Sequence, residues 1–260
     1  SEYARQALID FEQTRETHPT RLMLRIWRIN SLQKLLDLSE AATEIEALGE
    51  DLALYNRQNY AEFAFHYYAR KAYNLKLNGH WTEASAVLDE AFNQREILRN
   101  EAYELYLLIS RADQQFCYGS YPEAEATVAQ ILQHSAYGAA DEGLRLYIRI
   151  FELVNVFETG NMPGADALSE DIRRNFRTLL RDEDYTRAAR FLDIMQRMIT
   201  ARSEGKNISL RAAWRNFTEA IPRSEVGDNS IILYELYLRS LLPGEPSYRD
   251  LLTAMVKRGG

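Results

Sequence analysis

Three times in this chain a glycine is followed two places on by a large apolar residue and five places on by an alanine. The copies are Gly79-His80-Trp81-Thr82-Glu83-Ala84, Gly119-Ser120-Tyr121-Pro122-Glu123-Ala124 and Gly160-Asn161-Met162-Pro163-Gly164-Ala165, at intervals of 40 and 41 residues. A fixed interval of that size marks a supersecondary unit stacked on copies of itself, because one helical pair cannot bury its apolar face alone. The phase continues beyond the three copies. Leu38 stands 41 residues before Gly79, and Gly205 and Gly244 follow Gly160 at steps of 45 and 39 residues. Pro122 and Pro163 share the register of Thr82, a first-turn position whose amide has no helical partner to lose.

Between the turns the apolar spacing is helical. Leu22, Ile26, Ile29, Leu32 and Leu36 share one face of a helix that starts at Pro19 and runs to about residue 38. Arg21, Arg25 and Arg28 form another stripe on it, read as a solvated edge. Ser39 is the expected N-cap of the next helix, to about residue 55. Residues 59–78 carry Tyr60, Phe63, Phe65, Tyr67, Tyr68 and Tyr73 on several faces, which implies burial on more than one side. Ala84, Val87, Leu88, Ala91 and Phe92 then trace a stripe to about Leu98. Further helices are expected near 101–118, 122–134, 141–158, 185–203, 209–221, 230–242 and 246–258, with 137–140 a loop and a first helix over about 2–17. This amounts to about thirteen helices in about six hairpins, an all-α chain read as one array over 1–260.

Composition agrees, since only 6 prolines and 12 glycines leave a β-rich fold few turns, and 46% apolar with 27% charged residues is ordinary for a folded chain. The single cysteine, Cys117, excludes an internal disulfide or a multi-cysteine zinc site and reads as a small buried residue. No apolar run approaches the roughly 20 residues that span a bilayer, so a cytoplasmic location is expected. Ser1 in place of an initiating methionine is compatible with a segment of a longer protein. The net charge of −7 is uneven: residues 80–170 carry 15 acids against 5 bases, and residues 171–223 carry 12 bases against 7 acids. That balance argues against direct nucleic-acid binding, and an acidic middle would attract a basic partner.

The pattern G-x-aromatic-x-x-A resembles the turn and second helix of the tetratricopeptide repeat. Seven residues after each alanine another small or apolar residue follows, at Ala91, Ile131 and Ile172. Seven residues before the turn glycine, where the family packs helices closely on a small residue, stand Ala72 and Ala112, with Leu153 in the third unit. The match covers about residues 60–135 and part of the stretch to 175. It departs in period, about 40 against the family's 34. The consensus first-helix Trp and Tyr are replaced by Tyr68 and Leu75, and no charged clamp for a C-terminal carboxylate is present. The resemblance implies a right-handed α-α superhelix, a solenoid whose first helices line a concave surface that holds peptides or a partner's helix.

Motifs of chemistry are missing. Glu62 and His66 are a lone i,i+4 pair without further metal ligands, and no nucleophile elbow, dinucleotide loop or phosphate loop occurs. No cofactor or metal is expected, and the chain reads as a non-catalytic scaffold for a protein or peptide. Two other readings stand beside it: a ligand-sensing regulatory segment of a longer signalling protein, and an enzyme using groove carboxylates.

In the resembling family the residues 13, 6 and 3 places before each turn glycine face the concave surface. Here they are His66, Tyr73 and Lys76, then Tyr106, Asp113 and Phe116, then Tyr147, Val154 and Phe157. A row of Tyr106, Tyr147, Phe116 and Phe157 along one groove would supply large, low-entropy anchors for a partner. Longer helices could instead turn the same rings into the core between repeats.

Overall fold

Five glycines set where the chain reverses. Gly79, Gly119, Gly160, Gly205 and Gly244 all hold φ between 64° and 83°, the left-handed region open to a residue without Cβ. At three of them the carbonyls of the preceding helix are closed by a paired hydrogen bond: His80 N to Leu75 O with Gly79 N to Lys76 O, Ser120 N to Gln115 O with Gly119 N to Phe116 O, and Lys206 N to Ala201 O with Gly205 N to Arg202 O. This cap ends one helix and aims the chain into the next.

The computed structural model describes Gln6, Leu8 and residues 14–206, 210–219 and 230–259. Every regular element among them is helical: α1 (His18–Lys34), α2 (Leu38–Arg57), α3 (Tyr60–Leu77), α4 (Trp81–Phe92), α5 (Arg95–Leu98), α6 (Glu101–Cys117), α7 (Tyr121–Gln133), α8 (Ser135–Ala139), α9 (Glu142–Glu158), α10 (Met162–Asn175), α11 (Thr186–Ser203), α12 (Leu210–Glu219), α13 (Tyr234–Ser240) and α14 (Tyr248–Gly259), with 3-10 turns at Leu179–Arg181 and Glu183–Tyr185. Most of the helix expected over 2–17 lies outside the described residues. No helix among the described residues is long and apolar enough to cross a membrane. The chain forms two compact units, one of residues 1–110 with 252–260 and one of residues 111–251.

In the first unit α1 packs on α2, α2 on α3, and α3 on α4 and α5. Leu22, Ile26 and Ile29 of α1 meet Ile45, Leu48 and Leu52 of α2 and Phe63 of α3. A second cluster joins Ala64, Phe65, Tyr68 and Ala72 of α3 to Leu88 and Ala91 of α4, with Ile97 and Leu107. Burying each large aliphatic side chain contributes about 1.5–3 kcal/mol. Ala72, Ala84 and Ala91, the small positions of the sequence pattern, are buried, and their size lets the hairpin helices approach closely. Trp81 is buried too, as a packing residue at the start of α4.

Four local expectations change. The arginine stripe of α1 is no solvated edge: Arg25 binds Glu44 at 2.5 Å and Asp51 at 3.0 Å, and Arg28 binds Glu40 and Glu44, tying α1 to α2. The cap of α2 is Asp37, whose Oδ1 accepts from Glu40 N at 3.2 Å, so Ser39 lies inside the helix. The helix expected through Leu98 breaks at Asn93 and Gln94, where Gln94 is extended, and resumes as α5. Residues 137–140 are not all loop, because α8 forms there with His134 Nδ1 accepting from Ala136 N at 3.2 Å.

In the second unit α9 packs on α7, α10 and α11, α10 on α11, and α12 on α13. Helix α9 starts from Asp141, whose Oδ1 accepts from Leu144 N at 2.8 Å, and buries side chains over most of its surface, including Leu146, Tyr147, Ile150, Phe151, Leu153 and Val154, leaving a polar stripe of Arg145, Arg149 and Glu152. So wide an apolar surface needs neighbours on several sides. Phe191 of α11 stacks on Tyr234 of α13 with centroids 4.1 Å apart, and Arg187 spans from the Phe217 ring to Glu235 at 2.6 Å.

Candidate functional site

The residues expected to face a partner fall into two groups. In the first unit His66, Arg70 and Tyr73 follow one another along α3 at i, i+4 and i+7, the spacing of one helical face. Tyr73 is 41% exposed and Tyr106 of α6 is 42% exposed. Phe65 bridges the two helices, stacked on Tyr103 at 4.4 Å and 6.1 Å from Tyr106. His66 lies edge-on to Phe65 at 5.3 Å and to Tyr103 at 5.8 Å. Burial, helped by the Arg70 charge, lowers the His66 pKa, so the imidazole is neutral at pH 7. Arg70 is half-buried, which lowers its own pKa. Its Nε has no hydrogen-bond acceptor, and among the described residues no carboxylate pairs with it. Lys76, expected on the same face, is instead buried with its ammonium 5.2 Å from the Tyr73 ring centre.

In the second unit the expected row is core. Asp113 is buried, with the Cys117 thiol 3.8 Å from its Oδ1, and Cys117 itself is buried. Phe116 sits among Tyr121, Phe151, Tyr237 and Tyr248, with ring centres 5.3 to 6.0 Å away. Tyr147 is 7% exposed and packs on Tyr185 at 6.0 Å. Val154 is enclosed, and the Arg202 guanidinium covers the Phe157 ring at 5.0 Å. The rings of Phe116, Tyr147 and Phe157 therefore offer no surface to a groove. Of the row, Tyr106 alone is exposed.

Two polar centres of the second unit were not expected from the sequence. In one, the Tyr237 hydroxyl donates to Glu158 Oε1 at 2.6 Å. Burial pushes Glu158 above the usual carboxylate range, against the Tyr237 hydrogen bond and the Arg202 charge, which pull it down. A carboxyl shifted upward on folding holds its proton more firmly in the folded state, so its contribution to stability falls as pH rises from about 4.5 through its folded value. Glu158→Gln keeps an acceptor for Tyr237 and removes the charge. The variant's melting temperature minus that of the wild type is expected to increase between pH 4.5 and pH 7 in calorimetric scans. A difference independent of pH would show that the carboxyl is not shifted.

The other centre is a cleft of about 430 Å³. Its apolar walls are Leu132 of α7 and Phe176 beyond α10; Tyr137 of α8 and Asn175 add polar edges. Arg149 of α9 crosses its floor, binding Glu152 at 2.5 Å and Asp171 at 3.0 Å, and Arg174 reaches Asp171 at 2.6 Å. Arg145, one turn nearer the start of α9, lines the cleft with no carboxylate in ion-pair distance among the described residues, and its Nε has no acceptor. Burial raises the Tyr137 pKa, so its hydroxyl stays a donor at neutral pH.

No family model, no curated protein and no solved structure matches the chain. Function is therefore read from these side chains alone. Among the described residues no three His, Cys, Asp or Glu side chains converge as metal ligands would. Arg70 was missed by the sequence reading, yet its sequence carries a signal: Tyr67 and Tyr73 flank it at i±3 and His66 and Asn74 at i±4, so no acid on its own helix can neutralise it. Arg145 carries no such mark, because Glu142 and Asp141 precede it at i−3 and i−4.

Proposed function

We propose that the chain is a non-catalytic interaction module, built of tetratricopeptide-like hairpins in a solenoid, and that the face of α3 and α6 in its first unit holds an extended segment of a protein partner. The observation that carries this reading is the pair of tyrosines, Tyr73 and Tyr106, each about two-fifths exposed, with Arg70 unpaired by any acid between His66 and Tyr73. Exposed tyrosines bury large area at low entropic cost, and a half-buried guanidinium gains most from a bidentate carboxylate. The segment this face fits carries an apolar residue beside an acidic one. That differs from the basic partner suggested by the charge asymmetry along the chain, since the local cation outweighs the distant acids at contact range.

The test is quantitative affinity capture from native extract with wild type, Tyr73→Ala/Tyr106→Ala and Arg70→Gln. Partners retained by the wild type are expected to fall by about tenfold or more on both variants, in line with the loss of anchor residues, with helicity and melting temperature preserved. Equal retention by all three proteins would overturn the proposal.

A further inference from the structure

We propose that the cleft between α7, α8, α9 and the end of α10 binds a small organic monocarboxylate with an aromatic or branched apolar body. The site is separate from the α3 face and does not depend on the partner-binding reading. Three features of the cleft set the ligand's chemistry. Its volume, about 430 Å³, falls within the range of small-molecule pockets. Its walls divide into an apolar side, Leu132 and Phe176, and a donor side, Arg145, Tyr137 and Asn175. Its lining charges balance in number, Arg145 and Arg149 against Glu142 and Asp171, but not in pairing: Arg149 is held by Glu152 and Asp171, whereas Arg145 has no carboxylate partner among the described residues.

The Arg145 guanidinium lines the cleft without a carboxylate partner among the described residues, so an anion that reaches it there forms a charge-assisted pair that none of their acids supplies. The planar fork of Arg145 matches a carboxylate in two parallel hydrogen bonds, and the Tyr137 hydroxyl, which makes no hydrogen bond among the described residues, is available as a further donor. A dianion fits less well. Asp171 and the exposed Glu142 line the same cleft, so a second negative charge on the ligand would meet repulsion that a monoanion avoids. The apolar walls then select for the body: the ring or branched chain lies against Leu132 and Phe176 while the carboxylate faces α9.

The experiment titrates the intact chain at about pH 8.5 with phenylacetate and 4-methylpentanoate by calorimetry, with phenylacetamide as the uncharged counterpart and inorganic phosphate, doubly ionised at that pH, as the dianion. Saturable binding of either carboxylate is expected at one site, with a raised melting temperature, and none by the amide or by phosphate. Arg145→Gln should weaken carboxylate binding by about tenfold or more, and Tyr137→Phe by a smaller factor, because a charged bidentate pair outweighs one neutral donor. The melting temperature of each ligand-free variant verifies that the fold persists. Absence of carboxylate binding up to about 10 mM, which corresponds to less than 3 kcal/mol of affinity, would overturn the proposal. So would equal binding of amide and carboxylate, tighter binding of phosphate, or unchanged affinity in Arg145→Gln.

Discussion

Phe116→Ala is expected to lower stability by about 3–5 kcal/mol, the cost of removing a buried ring and leaving a cavity that its neighbours only partly fill. The ring lies among Tyr121, Phe151, Tyr237 and Tyr248, from four further helices of the second unit, so no single side chain can swing in to replace it. Aromatic pairing adds to the loss, at about 0.5–1.5 kcal/mol for each well-placed pair. In a domain of this size the change corresponds to a melting temperature lower by on the order of 10 °C. Tyr106→Ala is the matched comparison. In the register of the resembling family both residues would share one surface, but Tyr106 is 42% exposed and its removal should cost under about 1 kcal/mol. Urea and thermal unfolding of the two variants check this directly. Equal losses would mean that Phe116 is not the core ring described above, and that the register of the sequence pattern holds after all.

The contrast between these two residues explains what was legible in the sequence and what was not. Chain reversal is a local property: a glycine at φ near 80°, a small residue at a close helix crossing and a proline in a first turn each act within a few residues, so Gly79, Ala84 and Pro122 could be read directly. The helices follow from spacing for the same reason. Burial of a given helix face depends on what packs against it, and that is a distant property. Tyr147 and Phe157 occupy the register of His66 and Lys76, but the second unit brings Tyr185 over the first and Arg202 over the second. Those covering residues come from segments where the repeat motif has faded. One clue was present: Arg145, Arg149 and Glu152 gather on one stripe of α9, while Tyr147, Val154 and Phe157 lie on its apolar side, the side that packs on neighbours. The cleft was invisible for the same reason, since its walls come from four segments of the chain and its spare cation, Arg145, has acids nearby in sequence that do not pair with it in space.

Arg25→Met should destabilise the first unit by about 3 kcal/mol, although it keeps most of the side chain's length and apolar stem. The loss is electrostatic. Arg25 binds Glu44 at 2.5 Å and Asp51 at 3.0 Å, and all three side chains are only 12–13% exposed. Removing the cation leaves two carboxylates with little water to replace it. Glu44 retains Arg28 at 3.3 Å, so Asp51, already among the buried polar residues, bears the greater share. Had the arginine stripe been the solvated edge that its sequence spacing suggested, the same substitution would cost no more than about 1 kcal/mol, the ceiling for an exposed pair. The distinction is sharpened by removing the acids as well. In Arg25→Met/Glu44→Leu/Asp51→Leu no unpaired charge remains at the α1–α2 contact, and apolar side chains in place of a buried ion cluster are often neutral or stabilising. The triple variant should therefore recover most of the stability that the single variant loses, measured by urea unfolding at low and high salt. A single variant that loses under about 1 kcal/mol, or whose loss disappears in about 1 M salt, would place these charges in solvent rather than between the helices.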